Sequence, residues 1–534
     1  MPPVLASRGL KTEEIRTPMD AATPMEAPPR AIERVRERVS AADLAAVGAF
    51  AVSFIVYVRT LLPGVSFGDW AEAEMIPSRL GILHPTGYPL YSLLGTLFSL
   101  LPVGSVAYRA NLLSAVAAAG AVAVMVLIAV RLGVRPVVAF AAGLALAFTG
   151  TIWQEATFSE MNGLHVFIVA LLLHRALVWR AERRDRDLLL GALLGGLCVS
   201  NHGLAITVVP IVIVFVIADA RREIRARPML LVKAGAVFAL GLLPYLWLPL
   251  RALAGPSDVY GPFLTIEGLF AHISGAQFRG DMHFTSIESV QAAWVALPQV
   301  SDHLLALSNP VFVLLALFGI ALIVLSDRWF GVLLVLLGIV NVYFYANYLG
   351  NLSHYLLTTW LILGIGLAYA GETLVELVVG RTGPRLAWVA FAMLILPAVL
   401  ITSNWASHDQ SENHDGERFT AEVFAALPRG SVLVTYWDAL TPLSYEHCVE
   451  GVRTDVSLRA YDEKALVTCD PVERPLTDVV RRRPVYALLV NDGTIKQMTG
   501  LDPVPVQRFT LPWGQRYPEL DRTLYRLVSP DQAP

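Results

Sequence analysis

A chain of 534 residues with 55% hydrophobic and only 16% charged side chains, and a mean hydropathy of +0.56, is too apolar for a soluble globule, where about 25% of residues are charged. The formal net charge of -3 offers nucleic acid no basic footprint, so no nucleic-acid partner is expected. Three cysteines are too few for a disulfide-stapled scaffold and match no metal motif.

Residues 1–40 are rich in Pro, Thr, Glu and Arg and lack the short apolar core of a cleavable signal. They read as a disordered cytosolic leader ending in Arg30, Arg34, Arg36 and Arg38, just before the first apolar segment. About eleven stretches then approach the roughly 20 apolar residues needed to span a bilayer. They begin near Leu44, Leu112, Val137, Leu164, Leu188, Leu204, Met229, Val311, Phe330, Leu356 and Leu386. A shorter run, Tyr88 to Leu101, opens at Pro89 and reads as re-entrant or interfacial.

With the N-terminus inside, every basic cluster falls on the cytosolic side: Arg131 and Arg135; Arg180, Arg183, Arg184 and Arg186; Arg221, Arg222, Arg225 and Arg227; Arg328; Arg381 and Arg385. Opposite loops carry isolated basic residues such as Arg79, Arg109, Arg251 and Arg279, while the turn at Asn201 and the loop Tyr348 to Ser353 carry none. An odd number of spans places the polar tail outside the cytosol. The expected organisation is a leader (1–40), a transmembrane domain (41–403) and a small extracytoplasmic α/β domain (404–534), in the plasma membrane. In the tail, Glu417 to Leu427 has helical spacing, stopped at Pro428-Arg429-Gly430, and Ser431 to Thr435, Val456 to Ala460 and Pro484 to Val490 read as buried strands. The tail shows no catalytic motif of its own. Cys448 and Cys469 lie in it, and the spacing leaves open whether they bridge in an oxidising compartment.

Acidic, histidine and amide residues near apolar spans are costly and point to function. Here they gather on the outer side. The first outer loop carries Asp69, Glu72 and Glu74, then His84-Pro85-Thr86-Gly87-Tyr88-Pro89. Asp69 and Glu72 share a face if this part is helical, and a plainer alternative makes Asp69 a helix cap with Glu72 completing a capping-box-like pair. The second outer loop carries Glu155, Glu160, Asn162 and His165; Glu155 by itself reads as a solvated loop residue. Asn201-His202 is either a polar site or a hydrogen-bonded turn. Arg251 either snorkels to the interface or clamps a phosphate.

The run from Pro63 through Asp69, Glu72 and His84 to Tyr91 resembles a family of multi-pass membrane proteins related to protein O-mannosyltransferases. So do Arg109-Ala110-Asn111-Leu112-Leu113-Ser114, Trp153 to His165, Asn201-His202-Gly203-Leu204 and Leu243 to Arg251, in order over about the first half of the chain. The resemblance implies a GT-C glycosyltransferase fold with a polyprenyl-phosphate-linked sugar as donor on the non-cytosolic face, mannose being the family's sugar. Asp69 corresponds to the family's acidic residue in the first outer loop, with Glu72 and His84 matching its neighbours. Glu160 and His165 match the second loop, where Asn162 replaces an aromatic residue, and Thr86 replaces a second proline.

Transfer from a lipid phosphate needs a carboxylate to take the acceptor's proton and groups to stabilise the departing phosphate. The expected roles are Asp69 as general base with Glu72 beside it, Arg251, His84 and His202 on the donor phosphate, and Glu160, His165, Asn201 and Tyr88 orienting substrate, with inversion at the anomeric centre. A divalent metal held by Glu72, Glu160 or His165 is compatible with the pattern, whose spacing specifies none. The acceptor could be a protein, a polysaccharide or a lipid. Asp185-Arg186-Asp187 sits in a basic loop and reads as part of the topology signal rather than as a nucleotide-sugar site. No Walker motif is present, which disfavours ATP-driven transport. The competing class is a transporter or flippase of a lipid-linked or envelope substrate, which would show internal repeats and midplane charges.

Overall fold

The computed structural model describes residues 29–529 except 256–258, 261–264, 282–290, scattered positions between 292 and 307, 349–352, most of 380–391, 462–464, 467, 471–474, 490–494, 497–498 and 512–519. Residues 1–28, Arg279, Arg381, Arg385 and the first residues of the stretch expected to begin at Leu386 lie outside the described side chains, and the rest of that stretch forms the helix Ile395–His408. The first helix, α1, runs Pro29–Arg59, so helix begins before Ser40, where the leader was expected to end. It is followed by α2 (Gly68–Met75), α3 (Pro89–Ser99), α4 (Val106–Arg131), α5 (Pro136–Ala147), α6 (Gly150–Thr157), α7 (Met161–Glu182) and α8 (Asp185–Asn201). Proline opens α3 and α5, where the missing N–H costs nothing, and Ser105 caps α4 by accepting from the Tyr108 amide at 3.0 Å.

Among the described residues five helices are long and apolar enough to cross a membrane: Ala41–Arg59, Val106–Arg131, Met161–Glu182, Arg328–Ala346 and His354–Val378. Two bent pairs, Pro136–Ala147 with Gly150–Thr157 (69°) and Pro228–Gly241 with Leu243–Leu253 (40°), bring the number to seven if each is one span. The shorter apolar helices Gly203–Asp219 and Pro310–Ser326 occupy two more of the expected stretches. The chain is an integral, multi-pass membrane protein. The run at Tyr88 forms the short α3, 11 residues long, as its length implied. The second outer loop, by contrast, is largely helical: Trp153 to Ala156 lie on the buried α6.

Without a hydrophobic drive between helices in lipid, close backbone approach holds the bundle. A Cβ added at Gly319 would lie 1.8 Å from the Gly366 carbonyl oxygen, so neither helix tolerates a larger residue there. At one end of the bundle the basic clusters tie helix termini together. Arg131 binds Glu182 at 3.1 Å, Arg135 binds Glu372 at 2.5 Å, Arg183 binds Asp219 at 2.7 Å, and Arg180 spans Asp219 (3.1 Å) and Asp327 (2.6 Å). Asp185 and Asp187 are absorbed in this network by Arg227 (2.7 Å) and Arg175 (3.1 Å).

Beyond the helix Ile395–His408, the tail forms a helix at Asp415–Ala426, then a five-stranded sheet. Its order is Ser457–Ala460, Val432–Thr435, Val485–Leu489, Leu520–Val528, Asp502–Leu511. The first three strands are parallel and the last two antiparallel. The helix Trp437–Cys448 follows the strand Val432–Thr435, and Cys448 is bonded to Cys469 with their Cα atoms 5.8 Å apart. This tail docks on the first loop and α4. The Tyr445 hydroxyl accepts from the Ala107 amide at 3.0 Å, and Arg79 donates to the Cys448 carbonyl at 2.8 Å.

Candidate functional site

Opposite the ion-paired end, a cavity of about 770 Å³ opens between the first outer loop, the α7 N-terminus, the His202 turn, the segment around His354 and the tail. Asp69, His84, Tyr88, Glu160, Asn162, His202 and His354 line it. The three acids of the first loop separate by environment. Asp69, near the start of α2, is exposed, and its Oδ1 accepts from the Trp437 indole N–H at 2.7 Å. Glu72, one turn on, is fully buried; it accepts from the His84 amide at 2.8 Å and contacts His84 Nδ1. Glu74 points elsewhere, accepting from the Ser66 amide at 2.8 Å, and burial pushes its carboxyl well above the usual range. The capping reading of Asp69 and Glu72 is overturned: the residue before α2 is Phe67, with no side-chain cap, and both carboxylates have other partners.

Burial pushes Glu72 up while the imidazole beside it pulls it back, and the net direction is upward. For His84, burial alone would lower the ring, but the charges of Glu72 and Asp69 outweigh it and hold it raised to about 9. A value near 9 keeps the His84 ring protonated at neutral pH, as an imidazolium beside the Glu72 carboxyl. An imidazolium carries a proton on each nitrogen, so Nε2 can donate to the Tyr88 hydroxyl 3.2 Å away. Tyr88, buried and surrounded by these acids, is held well above its usual range and stays a neutral phenol.

The remaining expected site residues divide. His202 lies on the cavity wall 5.2 Å from the Tyr88 ring, with its Nδ1 accepting the Leu204 amide at 3.0 Å. His165 is buried behind it, 5.4 Å ring to ring. Asn201 donates to the Met161 carbonyl at 3.1 Å and holds the turn rather than lining the cavity. Arg251 is also absent from the cavity wall: its Nε donates to the Leu80 carbonyl at 2.6 Å and its guanidinium lies over the Trp247 ring. The geometry therefore favours the interfacial reading of Arg251. Glu155, read alone as a solvated loop residue, is 4% exposed, because α6 turns it inward.

Several lining residues escaped the sequence reading. His354, with Tyr343, Tyr348 and Tyr355, comes from the second half of the bundle, and Thr435, Tyr436, Trp437 and Tyr461 come from the tail. Tyr436 and Tyr461 follow adjacent parallel strands, at the carboxyl edge where α/β sheets present ligand-binding loops. The only hint for His354 was a polar break between apolar runs.

This architecture is that of a GT-C-type polytopic membrane protein. It is similar to ArnT from Cupriavidus metallidurans in the apo state, with a TM-score of 0.57 at 14% identity, covering 91% of this chain and 98% of that one. The same protein bound to undecaprenyl phosphate gives a TM-score of 0.53 over 91% and 99%. Within that class, residues 69–225 match the family described as the protein O-mannosyl-transferase TMEM260 N-terminal domain. The chain is 27% identical over 437 residues to the mouse protein O-mannosyl-transferase TMEM260, spanning 77% of this chain and 62% of that one. To the Dictyostelium discoideum protein O-mannosyl-transferase tmem260 it is 22% identical over 458 residues, spanning 76% and 55%. The matched part is thus under two thirds of either relative's length, and the resemblance read from the first half of the chain is the one these matches bear out.

Proposed function

We propose that the chain is a membrane glycosyltransferase that moves a sugar, mannose by analogy with the names of its relatives, from a polyprenyl-phosphate carrier to an acceptor hydroxyl. The observation that carries this reading is the exposed Asp69 carboxylate on the cavity wall, fixed through one oxygen by Trp437 and backed by the Glu72–His84 ion pair. Asp69 takes the acceptor's proton as its oxygen attacks the anomeric carbon. The bond from that carbon to the phosphate oxygen breaks, the polyprenyl phosphate leaves, and a single displacement inverts the centre. The His84 imidazolium and His202 face the departing phosphate, two of the three residues expected there, without Arg251. Undecaprenyl phosphate bound to a protein of the same fold supports a lipid-phosphate donor.

The tail, taken as the domain 404–534 after a transmembrane domain (41–403), lies outside the cytosol in this reading, and the Cys448–Cys469 disulfide supports it, because the cytosol keeps thiols reduced. The cavity, walled by the tail, then faces the non-cytosolic side and the N-terminus the cytosol. The test is transfer or donor hydrolysis from radiolabelled polyprenyl-phosphate sugars by the purified full chain, comparing wild type with Asp69→Asn. Loss of turnover in a variant of unchanged melting temperature supports the reading. Unchanged turnover removes Asp69 as base, and no turnover with any donor moves the assignment to a transporter, for which flux is then measured.

A further inference from the structure

Glu155 on α6, Glu160 just before α7 and His354 in the 3-10 turn Ser353–Leu356 converge from three elements, and each is 4% exposed or less. His354 Nδ1 lies 4.0 Å from Glu155 Oε1 and 3.9 Å from Glu160 Oε2, too far for hydrogen bonds. One ligand atom from each residue falls within 4.8 Å of the others. The point equidistant from the corners of such a triangle sits about 2.2–2.5 Å from each, close to the roughly 2.0–2.2 Å of bonds from imidazole nitrogen or carboxylate oxygen to zinc. Two carboxylates this close repel each other when both are ionised, and a cation between them relieves that repulsion.

A second observation comes from Asn162, which is 1% exposed. Its Nδ2 donates to Glu160 Oε2 at 2.6 Å, and its Oδ1 is buried without a hydrogen-bond partner, a neutral oxygen beside the same cluster. Glu160, Asn162 and His354 also line the cavity, so the cluster is open on that side. Among the described residues no Arg or Lys lines the cavity.

We propose that Glu155, Glu160 and His354 bind a divalent transition-metal cation whose open coordination side faces the cavity and takes an anionic phosphate oxygen of the substrate. The mixed carboxylate and imidazole set suits manganese or zinc better than calcium or magnesium. Its phosphate-binding role rests on the transferase reading above; the metal site itself does not. This set differs from the one weighed on sequence, since Glu72 is paired to His84 and His165 lies behind His202.

The experiment is a Mn²⁺ titration of the full chain in detergent, stripped with chelator and followed by electron paramagnetic resonance. Wild type is expected to take up one Mn²⁺ per chain, displaceable by Zn²⁺, with a nitrogen coupling from a directly bound imidazole. Glu155→Gln and His354→Gln should each weaken binding at least tenfold, and Asp69→Asn should leave it unchanged. Wild type that takes up neither ion, or shows no nitrogen coupling, overturns the site even if the variants fail to fold, as do folded variants that bind like wild type. Metal binding without sugar transfer leaves the site standing and sinks the transferase reading. Transfer that persists in metal-stripped protein sinks the metal's role and leaves that reading intact.

Discussion

The two ends of the helical bundle use the same kinds of charged residue to opposite purpose. At the basic end aspartates and glutamates meet arginines: Arg180 joins three helix ends through Asp219 and Asp327, and Arg135 fastens α5 to the helix Leu357–Val379 through Glu372. The charges cancel locally, and what remains is orientation and fastening. At the cavity end the described residues facing Asp69, Glu72, Glu155 and Glu160 include the imidazoles of His84 and His354. An imidazole is a weak, titratable partner, so this end keeps acidity in reserve for a proton, a cation or a substrate. Charge is structural where it is paired with guanidinium, and available for chemistry where it is not.

The contrast breaks most sharply at Asp69. Asp69→Asn should lower turnover by about 10²–10⁴-fold, the usual worth of a positioned base, while the melting temperature holds. Turnover within threefold of wild type would put Asp69 on the structural side of the comparison. Next in size is the disulfide, which ties the last residue of the helix carrying Trp437 to Cys469. Closing a loop over a sequence separation of 21, its removal in Cys448→Ser/Cys469→Ser should cost about 3 kcal/mol of stability, read by denaturant unfolding. No loss would mean that the tail is held by its dock on α4 alone. At the other end, Arg180→Ala takes the shared guanidinium from Asp327 and leaves Asp219 to Arg183, and should destabilise by about 1–3 kcal/mol with turnover per folded molecule unchanged. Lost turnover at full stability would show that the basic end does more than fasten.

How much of this was legible in the sequence follows the same division. The basic end could be read because positive charge in loops is a one-dimensional signal, and the Asp185-Arg186-Asp187 run was correctly placed in it. The first wall of the cavity could be read as well, since Asp69, Glu72, His84 and Tyr88 lie within 20 residues and match a known pattern. The opposite wall could not. His354 and Trp437 reach Glu160 and Asp69 across 194 and 368 residues, and no local spacing encodes such pairings. In the tail, the three parallel strands showed as compact apolar runs, whereas Asp502–Leu511 and Leu520–Val528 did not. Pro503 and Pro505 interrupt the first, which is tolerated because it is the sheet's edge strand. Arg522 and Arg526 break the apolar pattern of the second. Glu155 was misjudged because the sharp bend between α5 and α6, which turns it inward, leaves no mark beyond a Thr149-Gly150 pair.

The imidazole partner can be tested by pH. His84 is raised to about 9 in the folded chain against an ordinary value near 6.5, so the native state binds the extra proton between those values. The stability this contributes is fully present below about pH 6.5 and is lost as pH rises through about 9. The melting-temperature advantage of wild type over His84→Gln should therefore shrink steadily from pH 7 to pH 9.5. An advantage that grows with pH would reverse the assignment of the proton. Arg180→Ala, whose charge does not titrate in this range, should show a deficit that stays flat.

The smallest effect is expected at Trp437, and it asks whether the tail belongs to the cavity's chemistry or merely covers it. The indole N–H holds Asp69 Oδ1 at 2.7 Å. It is a neutral donor to a carboxylate that is otherwise exposed, so its loss leaves the base in place but less well aimed. Trp437→Phe keeps the ring against the cavity wall and removes only the hydrogen bond. It should lower kcat about 3–10-fold with KM nearly unchanged, since orientation of the base matters in the transition state more than in substrate binding. A rise in KM at constant kcat would instead make Trp437 a substrate contact, and no change in either would assign the tail to covering the site.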